Sequence, residues 1–217
     1  MNKLTGSIRI GLAILLAGLA AQSAQAQRIA GEELISALQD GGYVLVMLHA
    51  PASLEAARNR GGGGGGFGNF GGGRRGGGQA ARPEPTEEAL EAQSVQMLIG
   101  MRHAIWTFDI PIGAIYASPA QRTREHADEV PFADISIMRE LGLESAGSGW
   151  LANKLTETPM ADSNTIIVTH STNIQNDLDI ANVSEGETLI VRPGGDPTIV
   201  GRLGLREWSV LAIELGD

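Results

Sequence analysis

Two histidines and one arginine have the residue types and the places in the chain that phosphoryl chemistry requires. His49 directly follows the apolar run 43–48, and His170 follows the apolar run 165–169. A neutral imidazole is a competent nucleophile near pH 7. A second imidazole and a guanidinium, here that of Arg122, can stabilise the charge on the phosphoryl oxygens. These three residues therefore predict a site that handles a phosphoryl group.

The elements that must position these residues can be read from the apolar pattern. Both apolar runs are typical of strands buried on both faces, as in a parallel sheet. In open α/β sheets the reactive groups lie just past the carboxyl ends of the strands. Three segments share one order of predicted elements, namely strand, polar loop and helix. Their loops contain His49, residues Ser118–Arg122 and residues Thr169–Asn173. We expect the three loops at one edge of the sheet, where helix N-termini also donate N–H groups to an anion.

The whole pattern predicts an α/β fold with a mostly parallel central sheet, flanking helices and an antiparallel hairpin near the C-terminus. Helices are expected at 30–39, 87–106, 119–129, 150–155 and 172–180, the third of them capped by Ser118. Strands are expected at 43–48, 112–117, 135–138, 165–169 and 208–215, and the hairpin at 187–192 and 198–203. Trp106, Trp150 and Trp208 are expected to pack in the core or at its edge.

The N-terminus has the three parts of a secretory signal peptide. Lys3 and Arg9 flank a basic start, an apolar stretch follows, and Ala24-Gln25-Ala26 is a small-x-small cleavage pattern. The apolar stretch is shorter than the roughly 20 residues that span a bilayer. The chain has no cysteine, so we expect neither a disulfide nor a lipid anchor. We therefore predict a signal peptide at 1–26, a single domain at 27–217, and a periplasmic or secreted protein without membrane attachment after cleavage.

Residues 51–85 are predicted to be a disordered glycine-rich insertion. Thirteen of the 18 residues at 61–78 are glycine, and such a segment cannot bury enough surface to offset its chain entropy. No Gly-Lys-Ser/Thr follows, so this is not a phosphate-binding P-loop.

The net charge is −9 for the whole chain and −11 without residues 1–26, which argues against nucleic-acid partners. The histidine spacing matches no metal-ligand pattern, and no metal or cofactor is expected.

Taken together, these motifs resemble the histidine phosphatase (phosphoglycerate-mutase-like) superfamily, in particular its small exported members. The resemblance covers nearly all of residues 30–215 outside the insertion. It implies that His49 is the phosphate-accepting nucleophile, that Arg122 clamps the phosphoryl group, and that His170 stabilises it in the transition state. It also implies that Asn173 helps to bind the substrate. The proton donor of the superfamily is a carboxylate between the second and third motifs, for which the candidates are Glu140 and Glu144.

Three positions depart from the superfamily pattern. Leu48 replaces the arginine before the first histidine, His126 replaces a threonine, and Ser171 replaces a glycine. Loss of one preorganised donor typically lowers the rate by ~10²–10³. Two functions therefore stay open: weak hydrolysis of phosphate monoesters through phospho-His49, or a catalytically impaired pseudo-phosphatase that binds a phosphorylated or anionic ligand or a protein partner. The expected partner is a small phosphorylated molecule or a phosphoprotein. A third hypothesis is a secreted interaction protein that acts through its glycine-rich segment.

Two further observations bear on the site. A guanidinium from the insertion could take the place of the missing first-motif arginine, and the insertion carries four arginines: Arg58, Arg60, Arg74 and Arg75. His126 lies one helical turn beyond Arg122 and could therefore come near the site. His103 is expected on a helix surface or as a core histidine.

Overall fold

A computed structural model describes residues 31–51, 90 and 92–216. The predicted signal peptide and residues 52–85 of the predicted insertion lie outside these residues. The elements in chain order are α1 Glu32–Asp40, β1 Val44–Leu48, α2 Ala92–Thr107, β2 Ile112–Ala117, α3 Gln121–Asp128, β3 Ile135–Ile137, 3₁₀ turns Arg139–Leu141 and Leu143–Ser145, α4 Trp150–Lys154, β4 Asn164–Thr169, α5 Ser171–Leu178, β5 Thr188–Arg192, β6 Thr198–Leu203 and α6 Leu205–Leu215.

The six strands form one sheet in the order β3-β2-β4-β1-β5-β6. β3, β2, β4 and β1 run parallel, whereas β5 is antiparallel to β1 and pairs with β6 as an antiparallel hairpin. This confirms the predicted α/β class, the mostly parallel sheet and the hairpin near the C-terminus. β1 and β4 are neighbours at the centre, and their register pairs Leu48 with Thr169. The next residue of each strand is a histidine, so the sheet itself brings His49 and His170 together.

The central strands are buried on both faces, as their continuous apolar sequences predict. Every residue of β1 and β4 is buried. Because side chains alternate along a strand, Leu45 and Met47 enter one core layer, which also contains residues of α1, α2 and α6. Val44, Val46 and Leu48 enter the other layer, which α4 and α5 cover. The buried central strands thus fix the positions of the residues that follow them, His49 and His170.

The last element is a helix, and the strand predicted at 208–215 is wrong. Apolar residues recur at Leu205, Trp208, Leu211 or Ala212, and Leu215, and all of them pack on the core, which is the spacing of one face of a helix. The Glu207 carboxylate accepts a hydrogen bond from the Gly204 N–H at 2.6 Å, which closes the first turn as in a capping box. The aromatic and branched residues of this stretch favoured a strand, but the helical spacing of its core contacts prevailed.

Two smaller expectations are also corrected. Trp106 is 69 % exposed, so it does not pack in the core, whereas Trp208 is fully buried. Trp150 is half-buried and stacks edge-on against Tyr116. α3 begins at Gln121, so its cap residue is Ala120 and not Ser118, whose hydroxyl contacts Nε2 of His170. Among the residues that the structure describes, no helix has the length and hydrophobicity that crossing a bilayer demands.

Candidate active site

The imidazoles of His49 and His170 meet at the carboxyl ends of β1 and β4. The His49 N–H donates to the Thr169 carbonyl at 3.1 Å, which continues the strand ladder by one residue. The ring centroids are 5.3 Å apart and the ring planes form an angle of 64°. Both side chains are buried. The pair that the sequence placed at two strand ends is therefore one site in the structure.

The backbone sets the tautomer of His49. Its Nδ1 lies 3.0 Å from the carbonyl oxygen of Ala50. A carbonyl oxygen only accepts, so Nδ1 must carry the proton in this contact. In the neutral ring the lone pair is then on Nε2, which is the electronic state that a nucleophilic imidazole needs.

A third histidine, His126, belongs to the same cluster. Its Nδ1 accepts a hydrogen bond from the Ala50 N–H at 3.1 Å, so the proton of its neutral ring is on Nε2. Burial, with a smaller contribution from the nearby His49, lowers the pKa of His126 to about 3. His126 is therefore neutral at pH 7. In the sequence, the only sign that His126 lies near the site is its spacing of one helical turn from Arg122.

His170 is held by the hydroxyl of Ser118, whose Oγ lies 2.9 Å from Nε2. Ser118 Oγ also accepts the Ala120 N–H at 3.3 Å. When Ser118 donates its own hydrogen to Nε2, the ring proton of neutral His170 is on Nδ1. Nδ1 is buried and has no hydrogen-bond partner within the described part of the chain. An N–H donor of this kind is poised for an acceptor such as a phosphoryl oxygen.

Arg122 is the second residue of α3 and supplies positive charge to the cluster. Burial lowers the pKa of His170 to about 3, and the charges of His49 and Arg122 contribute. The guanidinium of Arg122 is therefore close enough to act on the His170 ring. Its side chain is half-buried, and α3 places it at the same edge of the sheet as the two histidines.

Leu48 and Asn173 serve the fold beneath the site. Leu48 is 2 % exposed and packs in the core layer under α4 and α5. The Asn173 amide nitrogen donates to the Leu141 carbonyl at 2.6 Å and to Thr169 Oγ1 at 2.8 Å. Any contact of that nitrogen with an anion would break one of these bonds. The Asn173 Oδ1 atom is buried and has no partner among the described residues.

A cleft opens beside Ser118, with a volume of about 490 Å³. Arg139 and Glu144 line it, and both are exposed. Glu140 is exposed as well but is not one of the lining residues. Of the two carboxylates considered from the sequence, Glu144 is therefore the one that shares a cleft with Ser118, whose hydroxyl contacts His170. Over the described ranges, histidine, aspartate and glutamate form no group of three that could hold a metal ion.

The low pKa values of His126 and His170 predict how stability depends on pH. Each histidine has a folded pKa of about 3, below its ordinary value of 6.5. Between these values the unfolded chain binds more protons than the folded one, so stability is complete above pH 6.5 and falls with pH towards 3. The slope is up to about 1.4 kcal/mol per pH unit for each histidine. Urea unfolding at a series of pH values measures it.

The matched comparison is His126→Asn against His103→Asn. His103 is exposed, so its loss should leave the slope unchanged, and the titration of the carboxylates cancels between variants. His126→Asn should make the slope shallower. Equal slopes in the two variants would contradict the assignment of a neutral, buried His126.

The sequence matches no known protein-family profile and no curated protein. Solved structures do match. A chain from Agrobacterium tumefaciens, assigned as the phosphohistidine phosphatase SixA, superposes with a TM-score of 0.50 at 14 % identity, over 75 % of this chain and 98 % of that one. A protein histidine phosphatase SixA complexed with tungstate gives a TM-score of 0.52 at 13 % identity, over 76 % and 97 % of the two chains. The predicted resemblance is thus confirmed at the level of architecture: this chain has the histidine phosphatase fold.

Proposed function

We propose that this protein hydrolyses phosphate monoesters by transferring the phosphoryl group to Nε2 of His49. The observation that carries the proposal is the tethering of His49 Nδ1 to the Ala50 carbonyl at 3.0 Å, which puts the lone pair on Nε2 of a ring whose centroid lies 5.3 Å from that of His170. The histidine phosphatase fold supports it, and so does the complex of a structural neighbour with tungstate, a tetrahedral oxyanion like phosphate.

The proposed reaction has two steps. In the first, Nε2 of His49 forms a bond to phosphorus while the bond to the leaving oxygen breaks, and Glu144 gives that oxygen a proton. In the second, Glu144 takes a proton from water, the water oxygen attacks phosphorus, and the bond to Nε2 breaks, which releases inorganic phosphate. The Nδ1–H of His170 and the guanidinium of Arg122 stabilise the charge on the phosphoryl oxygens.

The proposed turnover is slow because Leu48 stands where the superfamily pattern has an arginine, so the site has one positive charge fewer than that pattern provides. Arg122 supplies a guanidinium, and burial keeps His170 neutral at pH 7. The buried side chain of Leu48 cannot bind a phosphoryl oxygen. Loss of one preorganised donor typically lowers the rate by ~10²–10³.

A phosphoenzyme trap tests the proposal. Mature protein is incubated with an aryl phosphate, quenched in base and analysed by mass spectrometry. We expect an acid-labile phosphate on His49 and release of inorganic phosphate that vanadate inhibits. Absence of both, in a protein that binds vanadate, would contradict hydrolysis. That outcome would instead identify a pseudo-phosphatase, the alternative that the missing first-motif arginine favours.

Glu144 gives a second, independent prediction. A general acid typically contributes about 10²–10⁴-fold when the leaving group needs a proton. Glu144→Gln should therefore lower kcat by about 10²-fold for an alkyl phosphate but only slightly for an aryl phosphate with an acidic phenol. Glu140→Gln is the matched control and should change neither rate. Equal losses in the two variants would remove Glu144 from the proposed mechanism.

The proposed substrate is a small phosphorylated molecule or a phosphorylated side chain. The cleft of about 490 Å³ beside Ser118 has room for a leaving group of modest size. Arg139 and Glu144 give its lining charges of both signs. Export to the periplasm or medium, proposed from the N-terminal sequence, would place such a substrate outside the cytoplasm.

A further inference from the structure

Ala50 connects two histidines through its backbone. Its N–H donates to Nδ1 of His126 at 3.1 Å, and its carbonyl oxygen accepts from Nδ1 of His49 at 3.0 Å. Ala50 and His126 are fully buried. The two imidazoles are thereby fixed in opposite tautomers, with the proton on Nδ1 in His49 and on Nε2 in His126.

The chain beyond Ala50 is restrained as well. Pro51 follows, and a residue before proline is limited to extended backbone. The Pro51 carbonyl accepts the hydroxyl of Ser94 at 2.9 Å, which ties this point to α2. His126 holds the N–H side of Ala50, and Pro51 with Ser94 holds the carbonyl side. The direction of the Ala50 carbonyl towards His49 therefore depends on contacts at both ends.

We propose that His126 is a positioning residue for the nucleophile: by accepting the Ala50 N–H it keeps the Ala50 carbonyl on Nδ1 of His49, and so keeps the reactive lone pair on Nε2. The proposal rests on the proposed function for its catalytic meaning. Its structural content, the tautomer of His49, can be measured whether or not the protein turns over phosphate esters.

Packing alone does not account for His126. A fully buried imidazole loses its hydration, and an apolar side chain of similar size would fill the same space without that cost. The burial that lowers its pKa to about 3 also keeps the ring neutral. A neutral ring retains the Nδ1 lone pair that the Ala50 N–H requires, whereas a protonated ring would present two donors.

Two variants separate the acceptor from the ring. His126→Leu fills the space but removes the acceptor of the Ala50 N–H. His126→Asn keeps an acceptor, since its side-chain oxygen stands at the place of Nδ1. His103→Asn is the control, because His103 is exposed and its Nδ1 contacts Thr107 on the surface of α2. Circular dichroism and urea unfolding check that each variant is folded.

The readout is the protonation state of each ring nitrogen in ¹⁵N-labelled mature protein. Long-range ¹H–¹⁵N correlation distinguishes protonated from unprotonated ring nitrogens above the ordinary imidazole pKa of about 6.5. The chain has four histidines, and the substitutions assign their signals. We expect His49 to be protonated on Nδ1 and His126 on Nε2 in the native protein.

In His126→Leu we expect the His49 signals to move towards a mixture of tautomers, while His126→Asn and His103→Asn keep the native pattern. Where turnover is measurable, His126→Leu should lower kcat about 10- to 100-fold with little change in KM, and His126→Asn should restore most of it. If His126→Leu misfolds, the proposal is tested by the ring-nitrogen signals of His49 in the native protein and in His126→Asn. A His49 that stays protonated only on Nδ1 in folded His126→Leu, or that is protonated on Nε2 in the native protein, would overturn the proposal. Native tautomers without any phosphoenzyme would refute the proposed function and leave the positioning intact.

Discussion

His49→Ala should abolish both the acid-labile phosphoenzyme and the hydrolysis of an aryl phosphate. The substitution removes Nε2, the only atom to which the proposed mechanism transfers phosphorus, so the rate should fall to that of a blank without protein. Loss of a nucleophile typically lowers kcat by about 10³-fold or more. Quenched mass spectrometry and release of inorganic phosphate measure the two effects on one sample.

The control for His49→Ala is His103→Ala. It removes an exposed histidine at the surface of α2, and it should retain both the phosphoenzyme and the rate. His49→Ala also leaves the Ala50 carbonyl without its imidazole donor, so unfolding by urea must show that the variant is folded. A phosphoenzyme that persists in folded His49→Ala, or an unchanged rate, would place the nucleophile elsewhere.

Leu48→Arg should raise kcat/KM by about 10²- to 10³-fold, because it adds a bidentate donor for the phosphoryl oxygens. One buried polar acceptor lies near this position. Leu48 is paired with Thr169, whose hydroxyl accepts from Asn173, and Asn173 Oδ1 has no partner within the described residues. A long side chain could extend along β1 towards that oxygen and the site. Initial rates with an aryl phosphate measure the gain.

The same substitution should make the ligand-free protein less stable. It replaces a residue that is 2 % exposed in the apolar layer under α4 and α5, and an unpaired buried charge typically costs about 3–5 kcal/mol. Vanadate should therefore stabilise Leu48→Arg against urea more than it stabilises the native protein. Leu48→Met controls for side-chain volume. Leu48→Lys adds a positive charge without the planar guanidinium group. A folded Leu48→Arg that binds vanadate but turns over no faster would show that the missing arginine is not what limits the rate.

The meeting of His49 and His170 was predictable because strand ends are strong signals. Continuous apolar runs marked β1 and β4, and parallel neighbours must bring the residues after them to one edge of the sheet. The tautomers were not predictable. They depend on Ala50, whose carbonyl meets the adjacent His49 and whose N–H meets His126, 76 residues further along the chain. No local pattern encodes such a contact.

The helix α6 shows the opposite case, in which a local signal existed and was outweighed. Gly204 with Glu207 is a capping pattern, and Leu205, Trp208 and Leu215 have helical spacing. The branched and aromatic residues of the stretch are of types common in strands. The strand prediction failed because such propensity is a weak guide where tertiary packing decides. Glu144 could be separated from Glu140 only by the cleft, since both are exposed acids in adjacent short turns.

The end of β1 is clamped from both sides. The His49 N–H bonds to the Thr169 carbonyl of β4, and the Gly186 N–H bonds to the carbonyls of Leu48 and His49, each at 3.1 Å. Separating these groups means parting the central strands from their neighbours, which in most sheets requires unfolding of the whole domain. His49, the proposed nucleophile, therefore belongs to a part of the described structure that opens slowly. Under the proposed function, adaptation to different substrates would come from the turns that line the cleft, while His49 stays in place for as long as the protein is folded.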